Sequence, residues 1–299
     1  MKKNLVLTVV KSYSYRKVDP FFRTLRNSGY SGDIVVFYES LSPKTIRLIK
    51  RWRVTLLRFN SKPFKEKGIS LMHYRFKFFH TFLKKNLRLY EKVLLCDIRD
   101  IVFQNDPFEY KGYAKINYFC ESKKINDCKI NKYVFLKVGG KEAVKKYGEN
   151  LISCAGTTLG DSKEVLKYLD LQSKNMNKGI ALDQGQHNLF FYSGKFPNSK
   201  KFLNFQGPIL TLGDLENKRI KLSSKGKIVN EDGTVINVIH QYDRNPLLLR
   251  KFTLKKYYFQ NLFGKKYLEL KRFAKKVLFK TPLLNKYFKK KYYNPVEFK

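Results

Sequence analysis

The sequence predicts an α/β fold, a mostly parallel central sheet flanked by helices, followed by a basic helical C-terminal extension. Three observations carry this prediction. The first 59 residues run strand, helix, strand, helix, strand, the rhythm of a parallel sheet covered on both faces. The apolar runs are continuous rather than alternating, as in strands that meet water on neither side. Acids and a guanidinium gather directly after the central run, where open α/β sheets place their ligands.

Residues 5–10 form the first strand. Two lysines ahead of this run give it a superficial likeness to a signal peptide, but it is short, and Lys11 and Arg16 follow with no small-residue cleavage site. Its exit, Lys11-Ser12-Tyr13-Ser14-Tyr15-Arg16, brings hydroxyls, rings and cations to where a nucleotide sits in such a sheet, with Tyr13 the candidate contact. Asp19-Pro20 opens a helix reaching about Asn27, since proline suits a first helical position. Residues 28–33 are a turn, 34–38 a second strand, 42–51 a helix and 54–59 a third strand. Residues 70–89 form a long helix, with Leu71, Tyr74, Phe78, Phe82 and Leu89 near helical spacing. It carries His73, Arg75, Lys77 and His80; the two histidines are read as packing or surface residues.

After Phe108 the chain turns polar. Residues 122–131 read as a surface loop and 141–147 as a helix. Residues 151–160 read as a short strand and glycine turn, and 161–171 as a helix. Asp183-Gln184 follows, then a turn-rich stretch at 207–213 containing Ile209-Leu210-Thr211. Residues 225–234 are a loop or hairpin tip turning at Asp232-Gly233, and 235–239 a last strand ending at His240.

At 299 residues the chain has room for one large domain with an appendage, and 43% hydrophobic content argues that it folds. The formal charge of +38 attracts polyanions: nucleic acid, anionic lipid or phosphate-bearing substrates. Residues 250–299 hold 16 Lys and Arg against two Glu, interleaved with 13 Phe and Tyr. With helices expected at 254–263 and 267–278, that composition suits an anionic membrane surface, single-stranded nucleic acid, or a solvated lid. The four cysteines lack Cys-x-x-Cys spacing, and Cys96 reads as a small buried hydrophobe. No stretch approaches the ~18 apolar residues of a membrane span, so a soluble or peripheral, cytoplasmic protein is expected.

The chemistry centres on residues 91–108, EKVLLCDIRDIVFQNDPF. Val93-Leu94-Leu95-Cys96 is a buried strand; Asp97, Arg99 and Asp100 follow it, then Ile101-Val102-Phe103 and a turn at Gln104-Asn105-Asp106-Pro107. Carboxylates in this position suit a hard divalent cation, which in turn holds a diphosphate. The plainer alternative is that the two acids cap a turn and pair with Arg99.

This stretch resembles the metal-binding segment of nucleotide-sugar glycosyltransferases of the GT-A fold, whose usual form is Asp-x-Asp after an apolar strand. Asp100, the apolar triplet and Asp106-Pro107-Phe108 keep the spacing of a common variant. Ile98 stands where the first Asp would be, so the acids read Asp97-x-x-Asp100. The resemblance covers residues 1–247 and implies a Rossmann-like catalytic domain there, with residues 248–299 as the basic tail. It implies Mn²⁺ or Mg²⁺ held by Asp97, Asp100 and His240, with a nucleoside-diphosphate-sugar donor. Arg75 (with Lys77 second), Arg99 and Arg244 would approach the diphosphate. Gly156 would let backbone approach the donor sugar, and Asp183 and Gln184 would bind its hydroxyls or sit near the reacting centre. The acceptor would be a glycan or lipid-linked. Each residue has a plainer reading: Arg75 a solvated cation, Gly156 a turn glycine, Asp183 a helix cap, His240 a packing residue. The rival function is nucleic-acid binding, against which no helix-turn-helix, zinc-finger or RNP-like pattern is present.

Overall fold

The computed structural model describes residues 2–176, 182–213 and 220–253. The elements follow in the order β1 (Lys3–Lys11), α1 (Tyr15–Asn27), β2 (Asp33–Glu39), α2 (Pro43–Lys50), β3 (Thr55–Arg58), α3 (Lys62–Glu66), α4 (Leu71–Asn86), β4 (Tyr90–Cys96) and β5 (Ile101–Phe103). The chain continues through β6 (Ile116–Lys124), α5 (Lys129–Tyr147), β7 (Leu151–Asp161), α6 (Ser162–Lys174), α7 (Leu182–Tyr192), β8 (Ser199–Phe202), β9 (Ile209–Thr211), β10 (Val238–His240) and α8 (Pro246–Phe252).

The central sheet has seven strands in the order β3-β2-β1-β4-β7-β6-β8. β3, β2, β1 and β4 are mutually parallel, β7 is antiparallel to both its neighbours, and β6 and β8 are parallel to each other. The continuous apolar strands have the expected cause. In β1, Leu5 and Leu7 face a core shared with Phe76, Phe79 and Leu83 of α4 and Tyr168 of α6. Val6 and Val10 face the opposite core, with Phe21, Phe22 and Leu25 of α1. A second, three-stranded sheet has the order β5-β10-β9.

Several boundaries differ from the sequence expectation, each for a readable reason. α1 begins at Tyr15, with Pro20 inside it rather than opening it. The lost backbone donor there is outweighed by the buried face of Val18, Phe21, Phe22 and Leu25. Of the expected loop at 122–131, only residues 125–128 form a turn; 122–124 end β6 and 129–131 begin α5. β6 runs out of the core after Cys120, so its last residues are polar although still extended. α5 is long but broken at Gly140 (φ 74°), which hides its first half from a periodicity reading. Residues 151–160 belong to one eleven-residue strand with Gly156 mid-strand, and 209–211 is a strand of the small sheet rather than a turn.

The first compact unit runs Met1–Phe252 and the second Thr253–Lys299. Leu248, Leu249 and Phe252 of α8 are buried in the first unit, and the Arg23 guanidinium donates to the Phe252 carbonyl. The boundary therefore falls after Phe252, five residues later than residue 247. The helices expected at 254–263 and 267–278 lie outside the described residues. No helix among the described residues is long and apolar enough to cross a membrane.

α7 is fastened to β7 through a buried polar network. His187 joins the Ser153 hydroxyl at Nε2 (2.7 Å) and the Tyr168 hydroxyl at Nδ1 (2.8 Å). Burial first, and then the nearby Arg75 charge, push its pKa down to about 3. An unfolded chain protonates this histidine below about pH 6.5 while the folded one does not, so stability is lost as pH falls from there towards 3. Between pH 6.5 and 5 the native protein is expected to lose about 2 kcal/mol more than His187→Gln. Urea unfolding of both proteins at the two pH values measures this. The comparison isolates His187 from Asp183, whose pH slope has the opposite sign; equal slopes would remove His187 as the cause.

Candidate metal centre

β4 ends at Cys96, but pairing to β7 persists one residue further, where the Asp97 amide donates to the Gly156 carbonyl (3.0 Å). The chain then bends. Ile98 turns into the core at 2% exposure, which accounts for an apolar residue between the two acids. Asp100 anchors the far side of the bend, its carbonyl accepting from the Tyr242 amide (3.2 Å). β10 pairs antiparallel with β5, opposing His240 to Ile101, and this brings the imidazole back to the acids.

Asp97, Asp100 and His240 each offer a ligand atom, all within 4.8 Å of one another. His240 Nε2 lies 3.6 Å from an Asp97 oxygen and 3.9 Å from an Asp100 oxygen. Among the described residues, neither buried ring nitrogen of His240 has a partner within 3.5 Å in hydrogen-bond geometry, whereas buried polar atoms are ordinarily satisfied. Two carboxylates and an imidazole form a donor set suited to Mn²⁺ and acceptable to Mg²⁺. Burial by itself would lower the His240 pKa, but the surrounding Cys154, Asp97 and Asp100 raise it well above the ordinary value. The pocket thus favours positive charge at this point.

Gly156 lines the same space. A Cβ there would stand 2.5 Å from His240 Cε1 and 2.8 Å from an Asp97 carboxylate oxygen. The absent side chain therefore makes room for the cluster itself, which replaces the turn-glycine reading. Gly156→Ala is expected to displace His240 or Asp97 and weaken Mn²⁺ binding by about tenfold or more, an effect comparable to losing a supporting group around a metal ligand. Mn²⁺ titration followed by electron paramagnetic resonance measures it. Affinity equal to that of the native protein would show that the close approach is irrelevant.

Arg75 differs from its expected role. It is 3% exposed and sits behind the cluster, donating to Asp97 at 2.5 Å, to the Ala155 carbonyl at 3.3 Å and to Asp183 at 3.5 Å. Neither a solvated cation nor an open phosphate contact describes it. Burial raises the Asp97 pKa, but Arg75 and then His240 outweigh it and hold the carboxyl well below its usual range. For Asp183 burial wins, and its pKa rises to about 6 despite Arg75. Lys77, two residues along α4, is exposed.

Arg99 is partly exposed and pairs with Asp100 (2.8 Å) and Asp243 (3.8 Å). Tyr13 is close enough to these groups that its phenol feels them. Burial raises its pKa, Arg99 opposes this, and Asp100, Asp97 and Asp243 add to it. Gln184 spends both ends of its amide on β7, accepting from the Ala155 amide (2.9 Å) and donating to the Ser153 carbonyl (2.5 Å). Asp183 lies in the first turn of α7, buried against Arg75. Arg244 is exposed at the end of a short 3₁₀ turn and is not brought into the cluster.

Two neighbours had no distinct signal in the sequence. Cys154 lies beside His240, its thiol pKa pushed up by burial and held back by the histidine. Gln241, in the left-handed region at φ 62°, turns the chain directly after His240 and accepts from the Gly213 amide at 2.8 Å. No protein-family model matches the chain, and no curated protein is significantly similar to it.

Proposed function

We propose that this chain is a divalent-metal-dependent glycosyltransferase of the GT-A fold. It would move a sugar from a nucleoside-diphosphate-sugar donor to a glycan or lipid-linked acceptor. The observation that carries the reading is the convergence of Asp97, Asp100 and His240 at the carboxyl end of β4. The sheet order supports it, with β1 beside β4 so that the Tyr13 exit and the acids share one edge of the sheet.

Asp97, Asp100 and His240 would hold Mn²⁺ or Mg²⁺. When bound, such a cation acts as a Lewis acid that neutralises charge on a departing diphosphate. Arg75 keeps Asp97 ionised and oriented, and Asp183 holds Arg75 from the other side. Arg99, fixed by Asp100 and Asp243, keeps free N–H donors for phosphate oxygens. Tyr13 borders the place a nucleoside would take. Gln184 and Asn188 hold β7 straight past Gly156 by their bonds to Ser153 and Ala155. The basic aromatic residues 250–299 are assigned to an anionic membrane surface on composition alone.

Incubation with a panel of uridine, guanosine, adenosine and thymidine diphosphate sugars, with and without Mn²⁺, tests the proposal. Slow release of a nucleoside diphosphate from one donor, stopped by a chelator, is expected. Metal-independent release, or Mn²⁺ binding without any effect on donor binding, would point to another activity.

A further inference from the structure

α5 has two faces of opposite character. Val134 and Phe135 are buried, Phe135 in a cluster with Ile125 and Ile152, and Gly185 of α7 lies so close that a Cβ would meet the Val134 carbonyl at 2.6 Å. The other face is open. Ile130 is 70% exposed, Tyr133 57% and Leu136 39%. No other helix among the described residues carries more than one large apolar side chain so open to solvent.

At about 100° per residue, the open half of the helix presents Lys132, Leu136, Lys129, Tyr133, Lys137 and Ile130 in turn. Cationic and apolar side chains thus alternate around it, and all six are exposed. No acid interrupts the helix between Lys129 and Lys141. The Lys137 ammonium lies 5.6 Å from the Tyr133 ring centroid, so even the aromatic is flanked by a cation. Gly140 breaks the helix and ends this face, and Lys141, Lys145 and Lys146 beyond it are exposed as well.

We propose that this face of α5 seats the protein on an anionic membrane surface. Ile130, Tyr133 and Leu136 enter the boundary between headgroups and acyl chains, and the lysines reach lipid phosphates with their stems along the apolar side chains. The helix lies on the bilayer and does not cross it. Charge decides among occupants. A second copy would press lysines against lysines in a chain of net charge +38. Nucleic acid satisfies the lysines but leaves Ile130 and Leu136 in water, since phosphate gives them nothing and they offer no stacking plane. An anionic bilayer satisfies both kinds of side chain. The proposal does not depend on the metal centre.

The test reads position 133 directly, so that binding through another part of the chain cannot imitate it. Tyr133→Trp in a Trp52→Phe background leaves one tryptophan in the full chain. Vesicles of phosphatidylcholine with phosphatidylglycerol are expected to shift its emission to the blue and shield it from iodide, and vesicles of phosphatidylcholine alone are not. Full-length Ile130→Asp/Tyr133→Asp/Leu136→Asp should fold, because all three side chains are exposed, and should co-sediment with the anionic vesicles about tenfold less well. An unchanged emission at position 133 while the protein co-sediments would overturn the proposal, as would no co-sedimentation at all. A blue shift that follows protein concentration without vesicles would assign the face to self-association instead. A blue shift with single-stranded DNA and none with anionic vesicles would assign it to nucleic acid.

Discussion

Asp100→Ala is expected to abolish Mn²⁺ binding and turnover together while the fold survives. Asp100 offers one of the three ligand atoms clustered among the described residues and is 5% exposed, so water replaces it poorly. Removing even an outer-shell partner of a metal site commonly costs 10- to 100-fold in affinity, so loss of a direct ligand should exceed about a hundredfold. Stability should change little or rise slightly, because one of two neighbouring carboxylates is removed and Arg99 keeps Asp243. Free Mn²⁺ followed by electron paramagnetic resonance, with thermal unfolding in parallel, reads both effects without needing the donor. His240→Ala should lose affinity in the same assay with a smaller effect, since both carboxylates remain. Native-like Mn²⁺ binding by Asp100→Ala would place the cation elsewhere, and the metal-centre assignment would fall with it.

Arg75→Ala should instead strike the fold. Its guanidinium is buried between Asp97 and Asp183, and the Ala155 carbonyl takes a further N–H. Without it Asp183 stands in a low-dielectric interior with no opposite charge beside it, and the partly exposed Asp97 keeps only His240. Breaking a buried pair in this way costs about 3–5 kcal/mol. The loss has a pH signature. The Asp183 pKa is already raised to about 6, so its burial weighs against folding as pH climbs from about 4 towards 6, when the unfolded chain ionises first. Removing Arg75 should extend that penalty to higher pH, and Asp183→Asn in the same background should recover part of it. Urea unfolding of the single and double variants at pH 5 and 8 measures the cycle. A loss below about 1 kcal/mol in Arg75→Ala would mean that water reaches the pair and that it is not a buried one.

Much of the architecture was legible because local and long-range forces agree. In β1 and β2 the apolar runs are covered on both faces, so composition, strand preference and burial all point the same way. The same holds for 93–96, and the place of the acids at the end of that strand is legible with it. The reading failed where one stretch has two environments. β6 leaves the core halfway along and looks like a loop, and α5 contains a glycine break that splits one helix into a visible and a hidden half. Pro20 misled for a related reason: a rule for isolated helix starts does not know how much apolar surface α1 buries downstream.

The site depended on contacts that no local pattern encodes. A lone histidine carries no sign of its partner: His240 is a ligand candidate in the sequence only through the resemblance and its place at a strand end, and the pairing of β10 with β5, directly after Asp100, is what brings it to the acids. Gly156 gains its role from the insertion of antiparallel β7 between β4 and β6, which sets the missing Cβ against His240 and Asp97. Arg75 reads as a diphosphate contact or a solvated cation on a basic helix until packing turns it inward, where two acids make its charge tolerable. Residue types and the order of the strands follow from near neighbours in the chain. Which distant side chains meet follows from sheet order and packing, because a charge or a gap acquires its energy from whatever the fold places beside it.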